Sequence, residues 1–100
     1  LFTCRNIKAE EAKEIGLVSE IYPRESLLDE ALKMAARIAS QAPIAIRQIK
    51  RAVNEGLDMP IHEALRHEIT LFSACFATDD QKEGMQAFLE KRKDKEFKNR

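Results

Sequence analysis

Between Leu28 and Phe76 the apolar residues recur at intervals of three and four, and the pattern breaks only at Pro or Gly. A strand needs alternation, so this spacing predicts helices laid end to end. Leu28, Ala31, Leu32, Ala35, Ile38, Ala39 and Ala42 make one stripe. Ser26 is placed to cap that helix, which is predicted to run to about Ala42. Its alanines suit the close approach of another helix. Pro43 fits the first turn of a next helix, where a missing N–H costs nothing. Ala45, Ile46, Ile49, Ala52 and Val53 form the apolar face of that helix, and Gly56 ends it. After a break at "LDMP", a further helix is predicted from about Ile61 to Ala77, with Ala64, Leu65, Ile69, Phe72, Cys75 and Phe76 on its stripe.

The flanks extend this reading. "IKAEEAKEIG" predicts a short helix, with Glu10 and Glu11 at the electropositive end and Gly16 as its stop. "LFTCRN" looks like the end of a strand or an extended entry, and "LFT" and "LVSEIY" look like strand pieces whose partners are not in this chain. In "TDDQKEGMQAFLEKR", Thr78 and Gln81 form a T-x-x-Q capping box, with Asp79 and Asp80 in the first turn. Gly84 costs a helix about 1 kcal/mol against Ala, which points to a close backbone contact. The charged tail is predicted to fray unless Phe97 docks. The expectation is an all-α chain of about five helices with one short extended segment. It forms a single segment over residues 1–100: a strand end, short helix and connector over 1–23, a helical bundle over 24–92 and a charged tail over 93–100.

Lys plus Arg and Asp plus Glu both number 17, so the net charge is zero. No global field gathers nucleic acid or an anionic membrane, and any anion site must be a local cluster. Five Phe and one Tyr are too few for a base-stacking platform. No apolar run reaches the length of a membrane span, and no leader pattern is present. The chain opens at Leu1 inside an apolar–polar pattern, as expected of an internal start. Cys4 and Cys75 lie far apart with no CxxC, so both are expected to be reduced, in a cytoplasmic setting.

Few residues invite chemistry. His62 and His67 are five apart on one helix, a poor metal pair, and no metal cluster is expected. Glu68 falls inside an apolar stripe, where a carboxylate must be paired, hydrogen-bonded or protonated. It reads as a structural anchor or, less commonly, as a general acid or base. The basic sets Arg47, Lys50, Arg51 and Lys91, Arg92, Lys93 are usually solvated faces. The second follows a capped helix, however, and Lys91 falls three residues after Phe88. An aromatic with a Lys one turn later is one way to grip a base and a phosphate.

"AEEAKEIGLVSEIYP", "APIAIRQIKRAVNEGLD" and "DDQKEGMQAFLEKR" together resemble successive landmarks in the C-terminal part of the enoyl-CoA hydratase (crotonase) superfamily. The resemblance covers essentially the whole chain. It implies an N-terminal spiral of ββα units, absent here, that holds the active site, followed by helices that mediate a trimer or dimer of trimers. The hydratase reaction is syn addition of water to a 2-enoyl-CoA. Two glutamates act as acid and base, and two backbone N–H groups form an oxyanion hole. All of these belong to the N-terminal part, so no catalytic residue is expected here, Glu68 included. The resemblance implies contact of Phe88 and Lys91 with coenzyme A, which enters as the substrate's thioester rather than as a cofactor. Enoyl-CoA isomerases and decarboxylases of the superfamily share this pattern. A free-standing helical association module is the alternative from another class.

Three departures from the family pattern bear on local structure. Cys4 stands where Gly commonly follows Thr, at a position tied to positive φ. Lys8 stands where Ser, Thr or Asp often caps the first helix. The tail lacks the Pro that commonly precedes the aromatic at Phe97.

Overall fold

A computed structural model describes residues 4–100. It contains five helices: α1 (Ala9–Glu14), α2 (Leu27–Ala39), α3 (Pro43–Gly56), α4 (Ile61–Cys75) and α5 (Asp79–Leu89). The described residues contain no strand. The expected strand piece "LFT" lies outside the described residues. "LVSEIYP" is irregular, because a strand needs a ladder partner and the described residues supply none. The chain divides into two compact units, one running up to Ala35 and the other spanning Ala36–Arg100.

In the first unit, α1 starts at Lys8, whose backbone is extended as a cap residue's should be but whose side chain makes no capping bond. A lysine has no acceptor to offer the first-turn N–H groups. The helix ends in a Schellman turn: Leu17 N–H donates to Ala12 O at 2.8 Å and Gly16 N–H to Lys13 O at 3.1 Å. Gly16 takes the left-handed φ of 74° that this turn requires. Cys4 also holds a positive φ, 50°, where a side chain is strained. Ser26 does not cap α2; its hydroxyl donates to Pro23 O at 3.2 Å.

The second unit rests on the packing of α3 against α4. A methyl group at Gly56 would touch the Ala64 Cβ at 3.7 Å, so the two helices approach closely where the short connection joins them. Leu71 is buried, and Phe72 and Phe76 meet edge to face at 5.2 Å between ring centroids. α2 stops at Ala39, short of Ala42. Ser40 and Gln41 side chains donate to Arg37 O at 2.9 and 3.3 Å, and Ala42 is held off the helical conformation by Pro43. α4 stops at Cys75, short of Ala77. Its last turn tightens through bonds from Phe76, Ala77 and Thr78 N–H to carbonyls three residues back.

The tail is docked. Phe97 lies over Gly84, where an added Cβ would sit 3.7 Å from its ring. The contact expected at Gly84 is therefore made by the tail.

Candidate functional site

α5 carries the residues singled out by sequence. Thr78 Oγ1 accepts from Gln81 N–H at 3.1 Å and caps the helix as expected. The reciprocal half of the box is missing, because Thr78 N–H is already bonded to Cys75 O at 3.0 Å. Asp80 does more than complement the helix dipole. It is 2% exposed, and its two oxygens accept from Lys98 N–H at 2.6 Å and Asn99 N–H at 2.9 Å. Arg100 O in turn accepts from Asp79 N–H at 2.7 Å and Asp80 N–H at 3.2 Å. The first turn of α5 and the end of the tail thus satisfy each other's orphan groups. Arg47 on α3 adds a bond to Asn99 Oδ1 at 2.8 Å.

The other end of α5 closes in a second Schellman turn. Arg92 N–H donates to Ala87 O at 2.9 Å and Lys91 N–H to Phe88 O at 3.2 Å. The left-handed position, glycine in the α1 turn, is here Lys91 at φ 55°. A side chain there is strained by about 1 kcal/mol or more. Phe88 is 76% exposed, and the Lys91 side chain makes no hydrogen bond or ion pair among the described residues. The structure therefore brings Phe88 and Lys91 to one exposed helix end.

Arg92 differs from its neighbour. Its guanidinium pairs with Glu83 and Glu90, which holds its pKa well above the usual range. The same bonds hold both carboxyls below their ordinary value; Gln86 contributes at Glu90. A charged hollow of about 520 Å³ lies along the tail, lined in part by Asp79, Asp80, Glu83 and Arg92. Neither Phe88 nor Lys91 lines it.

Among the remaining candidates, the two histidines are not brought together. His67 Nε2 lies 2.7 Å from Glu55 Oε2, whereas His62 is on the surface beside Glu63. Glu55 is held below the ordinary carboxylate value chiefly by its bond from Arg51, with His67 adding to it. Arg47, Lys50 and Arg51 line one hollow of about 350 Å³ with Glu55, in which Arg51 is paired with Glu55 and Arg47 with Asn99. Glu68 is exposed, on the rim of an apolar groove of about 370 Å³ that also takes in Ile49, Leu71 and Phe72. Cys4 and Cys75 are both free thiols. No helix among the described residues is long and apolar enough to cross a membrane.

Sequence reasoning missed two residues, Asp80 and Arg92. Sequence spacing presents Asp80 as a dipole residue and Arg92 as one of a basic cluster. Their partners lie 18 and 19 residues away, or 9 away across a helix end, so no helical spacing reveals them.

The model of the enoyl-CoA hydratase/isomerase family matches residues 1–100. The chain is 46% identical over its whole length to the short-chain-enoyl-CoA hydratase of Clostridium acetobutylicum. It is 50% identical over 93 residues to the crotonyl-CoA hydratase of Syntrophomonas wolfei, covering 93% of this chain and 36% of that one. Its fold superposes on enoyl-CoA hydratase subunit I of Geobacillus kaustophilus with a TM-score of 0.94 at 41% identity, covering 100% of this chain and 38% of that one. The chain spans 38% of the length of the Clostridium relative. The chain belongs to the enoyl-CoA hydratase/isomerase family, as a helical region of a crotonase-fold enzyme.

Proposed function

We propose that this chain is the C-terminal helical segment of an enzyme that adds water to a 2-enoyl-CoA, giving a 3-hydroxyacyl-CoA in fatty-acid breakdown. In that enzyme the segment binds neighbouring subunits of a trimer or dimer of trimers, and Phe88 and Lys91 contact coenzyme A. The observation that carries the contact role is Lys91 itself. It occupies a left-handed helix-end position that glycine fills at lower cost, with its ammonium unpaired among the described residues and an exposed Phe88 one turn before it. Strain retained at an exposed position is accounted for when the side chain has a task. A lysine beside an aromatic suits a phosphate next to an adenine.

The segment holds neither the glutamate pair nor the oxyanion hole of the hydratase reaction, so it is inactive alone. Turnover of a short 2-enoyl-CoA by the isolated 100 residues would sink that reading. In the full-length enzyme, Lys91→Ala weakens binding of free coenzyme A by about tenfold, the loss of one charge-assisted hydrogen bond. An unaltered dissociation constant would leave Lys91 without a role in the ligand site.

A second reading has support of its own. Leu28, Leu32 and Ile38 on α2 are all exposed, a bare apolar stripe suited to association. A helical association module that serves no catalysis uses that stripe equally well. Lys91→Ala separates the two, since only the first makes coenzyme A affinity depend on it.

A further inference from the structure

Lys91, at φ 55°, stands between two residues whose side chains pair with each other, Glu90 and Arg92. Arg92 Nη1 and Nη2 donate to the two oxygens of Glu83 at 3.1 and 3.3 Å. Its Nε donates to Glu90 Oε2 at 2.6 Å, and Nη1 also donates to the Asp94 carbonyl at 3.1 Å. Glu90 accepts further from Gln86 Nε2. Glu90 and Arg92 flank Lys91 in sequence, Glu83 and Gln86 stand on α5, and Asp94 opens the tail. The side chains thus close a ring around the Lys91 backbone and tie it to the helix and the tail together.

The geometry is of the kind that holds position. Exposed ion pairs usually contribute little, but a bidentate guanidinium shared by several acceptors fixes orientation as well as charge. The Arg92 and Glu83 side chains are 32% and 28% exposed, so the pairing is partly sheltered. Two carboxylates answer the Arg92 charge, which leaves Lys91 and Lys93 as the exposed cations beside it, and of the two it is Lys91 that occupies the left-handed turn.

We infer that Arg92 is a positioning residue: by bridging Glu83, Glu90 and the tail it locks Lys91 in the left-handed turn, and so sets how strongly the enzyme prefers a CoA thioester over one lacking the nucleotide phosphates. This rests on the reading of Lys91 as a phosphate contact.

The test compares KM and kcat for a short 2-enoyl thioester of coenzyme A with those for the pantetheine thioester, in the full-length enzyme. The informative quantity is the ratio of the pantetheine KM to the coenzyme A KM. Lys91→Ala lowers it about tenfold. Arg92→Gln lowers it about threefold to tenfold, and adds nothing in the Lys91→Ala background, because residues acting through one contact are not additive. Glu90→Gln, which leaves the Arg92–Glu83 pair in place, lowers it in the same sense by less. It stands in if Arg92→Gln does not fold. If Arg92→Gln and Glu90→Gln change both KM values alike while Lys91→Ala still lowers the ratio, Arg92 serves stability alone and the inference is overturned. An Arg92→Gln effect that persists in full without Lys91 makes Arg92 a direct phosphate contact, which overturns it equally. A ratio unmoved by Lys91→Ala removes the underlying reading and the inference with it.

Discussion

Gly16 and Lys91 occupy the same position in two Schellman turns, at φ 74° and 55°. Glycine reaches that conformation freely, whereas lysine pays for its β-carbon. Lys91→Gly is therefore expected to raise the chain's stability by about 0.5–1 kcal/mol, the strain relieved less the entropy that Gly adds to the unfolded chain. Gly16→Ala is expected to lower stability by about 1 kcal/mol. Nothing lies within 4 Å of a β-carbon at Gly16, so the cost there is purely of the backbone. Urea denaturation of the two variants checks both signs, and a Lys91→Gly variant less stable than the parent would refute the strain argument. Asp80 is the other decisive residue. Asp80→Ala leaves the Lys98 and Asn99 N–H groups unpaired and is expected to cost about 1–3 kcal/mol. Amide exchange at Lys98 and Asn99 should accelerate in the variant; unchanged protection would mean that the carboxylate does not hold the tail.

At the scale of elements, α5 and the tail behave as one piece. Thr78 caps the start, Asp80 and Arg100 O close the first turn against the tail, and Arg92 ties the last turn to it. α1 has no such support, because Lys8 supplies no cap. The ion pairs around Arg92 give the α5 end a pH dependence. Glu83 and Glu90 are both held below their ordinary value of 4.5, chiefly by hydrogen bonds from Arg92. Carboxyls with depressed folded-state pKa values stabilise the fold fully above that ordinary value. The contribution disappears as pH falls through the lower folded-state values. Carboxyl NMR titration should therefore find both midpoints below 4.5, and Arg92→Gln should move them upward. Midpoints that ignore the substitution would show that the pairs do not form in solution.

At the scale of the whole molecule, few residues are buried. Ala12, Leu71 and Ala87 are the buried apolar side chains among the described residues, while Leu28 and Leu32 on α2 and Phe88 and Leu89 on α5 are more than half exposed. Apolar surface left in water drives association. The isolated chain is expected to self-associate with rising concentration in sedimentation measurements, and Leu32→Glu should shift it toward the monomer. A chain that stays monomeric at high micromolar concentration would count against the association role of the α2 stripe.

The helices were legible because the rules that make them are local. The stripe of α3, Pro43 at its start, Gly56 at its end and Thr78 ahead of α5 all act within a few residues of where they stand. The family was legible for a related reason, since its markers run as short contiguous stretches. The early stops of α2 and α4 were harder, because Ser40, Gln41 and Thr78 compete for the carbonyls and N–H groups of helix ends, and sequence spacing does not rank such competitors. The docking of the tail was decided only by tertiary structure. Asp80 finds its partners in the backbone amides of Lys98 and Asn99, and Phe97 finds Gly84. Backbone donors are the same at every residue, so nothing in the sequence of the tail names the carboxylate that receives it. The left-handed turn at Lys91 is the same kind of case: its sequence shows a charged helix end, and only the folded backbone reveals that a lysine has been placed where a glycine would sit more easily.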